Sequence, residues 1–307
     1  MGQRCEDDKD FAISGSVLVG YAGAAGNVVV PEEVSEIGGK AFFDCDSLTS
    51  VVIPLGVRKI GTWAFGYCKS LVSVRIPEGV TELGESVFDS CESLVSVSIP
   101  EGVPEIGIET FVYCKSLAEV SIPGSVRKIG EGAFYGCTSL REIAFGGTKE
   151  QWEAVEKGNE WRRAVPATSV RCKDGIMYLS PFEIRGGVLR SYYGKEALVA
   201  IPSSVVEIGE YAFKDCKSPV SITIPNSVTE IDSNAFYFCE TLVSVCIPGS
   251  VTRIGKDVFS GCLSLWEIHY DGTEEQWDAI EKDDGWNEGF VGEHERKIFF
   301  EQTPAHG

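Results

Sequence analysis

Histidine is nearly absent. Three residues, His269, His294 and His306, stand in a chain of 307. That starves most metal-ligand sets and most acid–base schemes built on imidazole. His294 and His306 are expected to be solvated tail residues. Basic charge is short as well, with 27 Lys and Arg against 46 Asp and Glu and a formal net charge of −19. A field of that sign repels nucleic acid and anionic lipid, and no local basic patch reverses it. No apolar run approaches the length of a membrane span. CxxC, HExxH, GxSxG and a glycine-rich phosphate loop are all missing, which removes the common zinc, hydrolase and nucleotide signatures. The acidic stretch DGTEEQWDAIEKDDGWNEGFVGEHE lacks calcium-loop spacing and reads as solvated surface. The leader MGQRCEDDKD has no hydrophobic segment, and Glu6 stands where a myristoylation pattern needs Ser or Thr.

What is present is periodic. Pro31, Pro54, Pro77, Pro100 and Pro123 are spaced by 23 residues, as are Pro202, Pro225 and Pro248. A fixed period in this range marks a solenoid, one supersecondary unit per repeat stacked on its neighbours. In the unit LVSVRIPEGVTELGESVFDSCE, Val72–Ile76 alternates and is β-branched, which predicts a short strand. Pro77 ends it, Glu78-Gly79 turns, Val80 and Leu83 point inward, Gly84 permits a tight bend, and Phe88 enters the core. Each becomes a column: Phe42, Phe65, Phe88, Phe111, Phe134, Phe213, Phe236 and Phe259, and likewise Leu48, Leu71, Leu94, Leu117, Leu140, Leu242 and Leu265, broken at Pro219. No unit can bury such a face alone; stacking buries it.

Eight of the eleven cysteines also stand in register: Cys45, Cys68, Cys91, Cys114, Cys137, Cys216, Cys239 and Cys262. An odd total argues against a complete disulfide framework. Neighbouring rungs bring these positions within disulfide reach, but side chains in a parallel column point the same way. The column is therefore expected to be buried free thiol, which suits a reducing or anaerobic setting.

The repeat resembles that of the BspA-like leucine-rich repeat family, whose units read much like SLxSVxIPxGVxxIGxxAFxxC. The flanks are similar to that family too. The opening ISGSVLVGYAGAAGNVVVPEEVSEIG recurs as IRGGVLRSYYGKEALVAIPSSVVEIG, and the closing GGTKEQWEAVEKGNEW recurs as DGTEEQWDAIEKDDGW. The expected fold is an α/β solenoid, a right-handed leucine-rich repeat superhelix with short parallel strands and few short helices. It is organised as two tandem arrays, each with an opening hairpin and a closing helical cap. The expected boundaries are a flexible leader over 1–10, a first array of five repeats over 11–172, a second of three repeats over 173–301, and a tail over 302–307. Thr148 and Thr273 are expected helix N-caps, with Trp152 and Trp277 packed on the last rung.

Residues flanking the buried Val and Ile of each strand point outward. One outward column is Ser50, Ser73, Ser96, Glu119 and Glu142, continued by Ser221, Ser244 and Glu267. The other is Val52, Arg75, Ser98, Ser121 and Ala144, continued by Thr223, Cys246 and His269. This low, hydroxylated face lacks bulky aromatics and is the candidate binding surface, unless Ser and Thr there merely solvate a strand ladder. Cys246 and His269 fall on adjacent rungs with Glu267 nearby, the residue types of nucleophilic thiol catalysis. No oxyanion donor or deep pocket accompanies them, so drift on an unconstrained face explains them better.

The family resemblance implies a non-catalytic interaction scaffold at the cell surface or secreted, adhering to another protein or an extracellular matrix component without a cofactor or metal. The free thiols suit a cytoplasmic chain as the alternative. A monomer, with no membrane insertion and no nucleic-acid partner, is expected. The competing readings are a carbohydrate-binding module, using the cap tryptophans or the serine face, and a weak thiol hydrolase at Cys246 and His269.

Overall fold

The computed structural model describes residues 10–287 and 297–300. The chain divides into two compact units, Met1–Leu179 and Ser180–Gly307. His294, His306 and the expected tail over 302–307 lie outside the described residues, as does the leader apart from Asp10.

In the first unit, Phe11–Ser14 and Val17–Tyr21 form the opening hairpin, and Val17–Tyr21 then pairs parallel with Glu36–Ile37. The main ladder stacks Asn27–Val29, Ser50–Val52, Ser73–Arg75, Ser96–Ser98, Glu119–Ile122, Glu142–Phe145 and Ser169–Cys172, and Gly175–Tyr178 folds back antiparallel on the last. The division into units therefore falls after Leu179 rather than after residue 172, because the hairpin around residues 173–174 pairs wholly within the first unit. The second unit repeats the plan. Its hairpin is Phe182–Arg185 with Val188–Tyr192, and its main ladder runs from Leu198–Ala200 through Ser221–Thr223, Ser244–Pro248 and Glu267–Asp271 to Lys297–Phe300.

Each repeat carries more pairing than one strand. The proline carbonyl accepts from the valine three residues on, as in Val80 to Pro77 at 3.0 Å, which closes the turn. A second strand of two residues follows, such as Glu82–Leu83, and these form their own parallel ladders. A third ladder joins successive turns: the amides of Ser86, Phe88 and Ser90 donate to the carbonyls of Ile108, Thr110 and Val112, and the pattern recurs coil after coil. Gly84 serves coil contact more than bending. A Cβ there would sit 2.4 Å from the Thr62 amide nitrogen, and within the eight repeats only Asp232 departs from glycine in this column.

The core is a set of continuous spines. Phe42, Phe65, Phe88, Phe111 and Phe134 stack with centroids 5.1–5.4 Å apart and planes within 10°. Tyr21 begins this spine and Trp161 ends it edge-on at 6.3 Å. In the second unit Tyr192, Phe213, Phe236 and Phe259 stack at 5.1–5.3 Å, with planes 11–30° apart. The cysteine column is free thiol among the described residues. Each buried Sγ–H donates to a phenylalanine carbonyl of the preceding coil, as Cys91 does to Phe65 at 3.1 Å and Cys114 to Phe88 at 3.1 Å. The ladder is thus tied by sulfur hydrogen bonds, with no disulfide.

Lys149–Ala154 and Glu274–Asp278 are the closing helices, each with a complete capping box on Thr148–Gln151 or Thr273–Gln276. Helices this short are unstable alone and persist through packing. Trp152 meets Phe145 and Trp161 edge-on, and Trp277 meets Tyr270 and Trp286 in the same way.

Candidate binding surfaces

The strand face comes from alternation. Val74 and its equivalents point into the core and pull their neighbours outward. Register makes columns of those neighbours. Ser50 pairs with Ser73, Ser73 with Ser96, Ser96 with Glu119 and Glu119 with Glu142, while Ser98 pairs with Ser121. Ser73, Arg75, Ser96, Ser98, Glu119 and Glu142 are exposed, and Ser50 and Ser121 are half-buried. Glu142 pairs with Arg171 of the closing strand. In the second unit Ser221, Ser244 and Glu267 form one column, and Thr223, Cys246 and His269 the other. Ser244 Oγ donates to Ser221 Oγ at 2.9 Å. The hydroxyls can offer many weak hydrogen bonds on a rigid ladder.

One expectation about this face changes. It does carry an aromatic in the second unit, because Lys297–Phe300 adds a strand beyond Glu267–Asp271 and brings Phe299 onto the His269 rung. The Phe299 ring stacks on the imidazole at 5.0 Å and 13°. His269 Nε2 also lies 3.1 Å from Glu267 Oε2. The imidazole is engaged by these two groups, and no hydrogen bond joins it to Cys246 among the described residues. The adjacent depression, lined by Thr223, Asn226, Cys246, His269 and Asp271, is shallow and open. The arrangement brings thiol, imidazole and carboxylate together without the thiol–base contact that nucleophilic activation needs.

The cap tryptophans do not form a sugar platform. Trp152 is 1% exposed and Trp277 5%, so neither face is available to a ligand. Lys157 Nζ lies 4.8 Å from the Trp152 ring centroid and donates to the carbonyls of Trp152 and Val155; Lys282 repeats the arrangement on Trp277.

A second surface escaped the sequence reading. On the turn ladder, Phe43, Tyr67, Tyr113 and Phe238 are all more than one-third exposed. Phe43, Trp63 and Tyr67 contact one another with centroids 5.6–5.9 Å apart, and Tyr113 meets Tyr135 at 5.4 Å. The residues two before and two after each core phenylalanine adopt left-handed backbone, including Lys40, Trp63, Ser86 and Glu109 on one side and Asp44, Tyr67, Ser90 and Tyr113 on the other. That conformation disfavours any Cβ, so its recurrence shows the turn is imposed by the coil. The available signal was the aromatic content of those two columns and of the residue just after each phenylalanine.

The BspA type Leucine rich repeat region model matches residues 25–154 and 192–279, in six copies. The chain belongs to the BspA-type leucine-rich repeat family. A crystal structure of a leucine rich cell surface protein from Faecalibacterium prausnitzii A2-165 aligns with a TM-score of 0.62 and 25% identity, over 90% of this chain and 96% of that one. A leucine-rich repeat protein from Eubacterium ventriosum aligns with a TM-score of 0.50 and 24% identity, over 83% of this chain and 65% of that one. The pneumococcal vaccine antigen PcpA aligns with a TM-score of 0.55 and 17% identity, over 80% of this chain and 62% of that one. The last two show the shared fold alone, and this chain spans less than two thirds of each. No curated protein matches at a significant level. No helix among the described residues is long and apolar enough to cross a membrane.

Proposed function

We propose that this chain is a non-catalytic recognition scaffold that works at the cell surface and engages a protein or extracellular matrix partner through its strand face. The observation that carries this reading is the unbroken register of small hydroxylated and charged side chains along the main ladder of the first unit, from Ser50 to Glu142. A rigid ladder holds such groups in place before a partner arrives, so little ordering entropy is lost on contact. Each contact is weak, and affinity comes from many acting together. Family membership supports the scaffold role, and the Faecalibacterium protein, described as a cell surface protein, supports the location.

The test is retention by immobilised extracellular matrix at physiological salt, comparing the parent chain with a Ser73→Arg/Ser96→Arg variant. Both serines are exposed, so the fold should be kept, as circular dichroism would verify. The expected result is retention of the parent and at least a tenfold loss for the variant. Equal retention of the two chains would remove the strand face from the reading.

A further inference from the structure

The turn ladder of the first unit holds a gap in its aromatic cover. Tyr67 packs against Trp63 of its own turn and Phe43 of the preceding coil, and Tyr113 packs toward Tyr135 on the next coil. No ring contact joins Tyr67 to Tyr113 among the described residues. They occupy the same repeat position two coils apart, about 9.5 Å at two strand spacings. Where the Tyr67 coil carries Trp63, Gly66 and Tyr67, the coil between them carries Ser86, Asp89 and Ser90, all small, polar and less than 9% exposed. The floor of the gap therefore contains a carboxylate.

That carboxylate lacks a counter-charge. Ser90 Oγ donates to Asp89 Oδ1 at 2.7 Å, and Asp89 makes no ion pair among the described residues. Burial raises its pKa, the Ser90 hydrogen bond opposes the rise, and the nearby Glu109 adds to it. A buried carboxylate without a cation is costly, and a cation from outside removes the cost. Glu85 on the same coil and Glu109 on the next are exposed and reinforce the sign. The chain's own lysines already lie over aromatics of this ladder, Lys40 5.4 Å from the Phe43 centroid and Lys214 5.1 Å from that of Tyr211. Both are intra-coil contacts between the same two repeat columns, so ammonium over aromatic is the chemistry this surface favours.

We infer that the gap between Tyr67 and Tyr113 is a binding site for a basic side chain of a protein partner, an arginine or lysine that lies between the two rings with its charge on Asp89. It sits on the turn ladder, separate from the strand face, so it stands or falls independently of the function proposed above.

The probe is a fluorescently labelled (Gly-Arg)4 peptide, titrated into the full chain at low and physiological salt and followed by anisotropy. Asp89→Asn keeps the shape and the Ser90 hydrogen bond, and should weaken binding at least tenfold. Tyr113→Ser places at this position the residue that already stands there at Ser90, and should also weaken binding at least fivefold. Glu78→Gln removes one charge from a different turn and should change binding less than twofold. Thermal melts of all three verify the fold. Equal affinity of parent and Asp89→Asn, or an equal loss in Glu78→Gln, would reduce the effect to bulk charge and overturn the proposal. Binding of neutral oligosaccharides that is lost in Tyr113→Ser, with no peptide binding, would assign the gap to a sugar and overturn it as well.

Discussion

Two residues in every turn hold a backbone angle that side chains resist. Glu109 is exposed and has φ of 53°, while Gly132 occupies the same position one coil later with φ of 58°. A left-handed residue with a Cβ costs about 1–2 kcal/mol locally, and glycine gives back part of that through its looser unfolded chain. Glu109→Gly should therefore be neutral or stabilising by up to about 1 kcal/mol. Glu109→Val, with a branched Cβ in the same angle, should destabilise by more than about 1 kcal/mol. Urea denaturation of the two variants checks the pair, and a valine variant as stable as the glycine one would mean the turn relaxes. This residue-level constraint was hidden in the sequence because Lys40, Trp63, Ser86 and Glu109 share no chemistry. Their common feature is a dihedral angle, which composition does not reveal. The phenylalanine and cysteine columns were legible for the opposite reason: a closed core accepts only one shape at each level.

At the scale of elements, the long ladder was legible because three or more residues can display alternation, as Ser73–Arg75 does with its outward Ser73 and Arg75 on either side of buried Val74. Glu82–Leu83 is too short to display any period, so the second ladder was read only as inward-pointing residues. Lys297–Phe300 was obscured by the acidic block before it, and with it the aromatic partner of His269. The capping helices were legible from Thr148 and Trp152, which belong to a recognisable start signal. Their stability is correspondingly local. Thr148 accepts from the Gln151 amide at 3.2 Å and Gln151 returns a contact to the Thr148 amide at 2.9 Å. Thr148→Ala breaks this reciprocal box and should cost about 1 kcal/mol. Because Trp152 stays buried by Phe145 and Trp161, the last rung should remain covered. The measurement is hydrogen exchange at the amides of residues 149–154, expected to quicken while exchange in Ser73–Arg75 is unchanged. Faster exchange throughout the first unit would show that the cap governs the whole stack.

Across the whole molecule the stacked thiols couple stability to alkaline pH. In the first unit burial is the leading cause that lifts Cys68 and Cys137 from the ordinary 9.0 to about 12, and it holds Cys91 and Cys114 well above 9.0. Below pH 9 folded and unfolded chains both keep these protons, so the contribution is fully present. Between pH 9 and about 12 the unfolded chain releases them while the folded chain retains them, and stability falls as pH rises. Each retained proton steepens that fall by about 1.4 kcal/mol per pH unit. The denaturation midpoint should accordingly drop sharply above pH 9, well beyond what exposed lysines would produce. Cys114→Ala removes one such proton together with the hydrogen bond to Phe88. It should destabilise the chain at pH 7 and yet shrink its deficit as pH rises, because its slope is shallower by one thiol. A Cys114→Ala chain that tracks the parent in parallel from pH 8 to pH 11 would mean that solvent reaches the thiol column and that the stacked coils open at low cost.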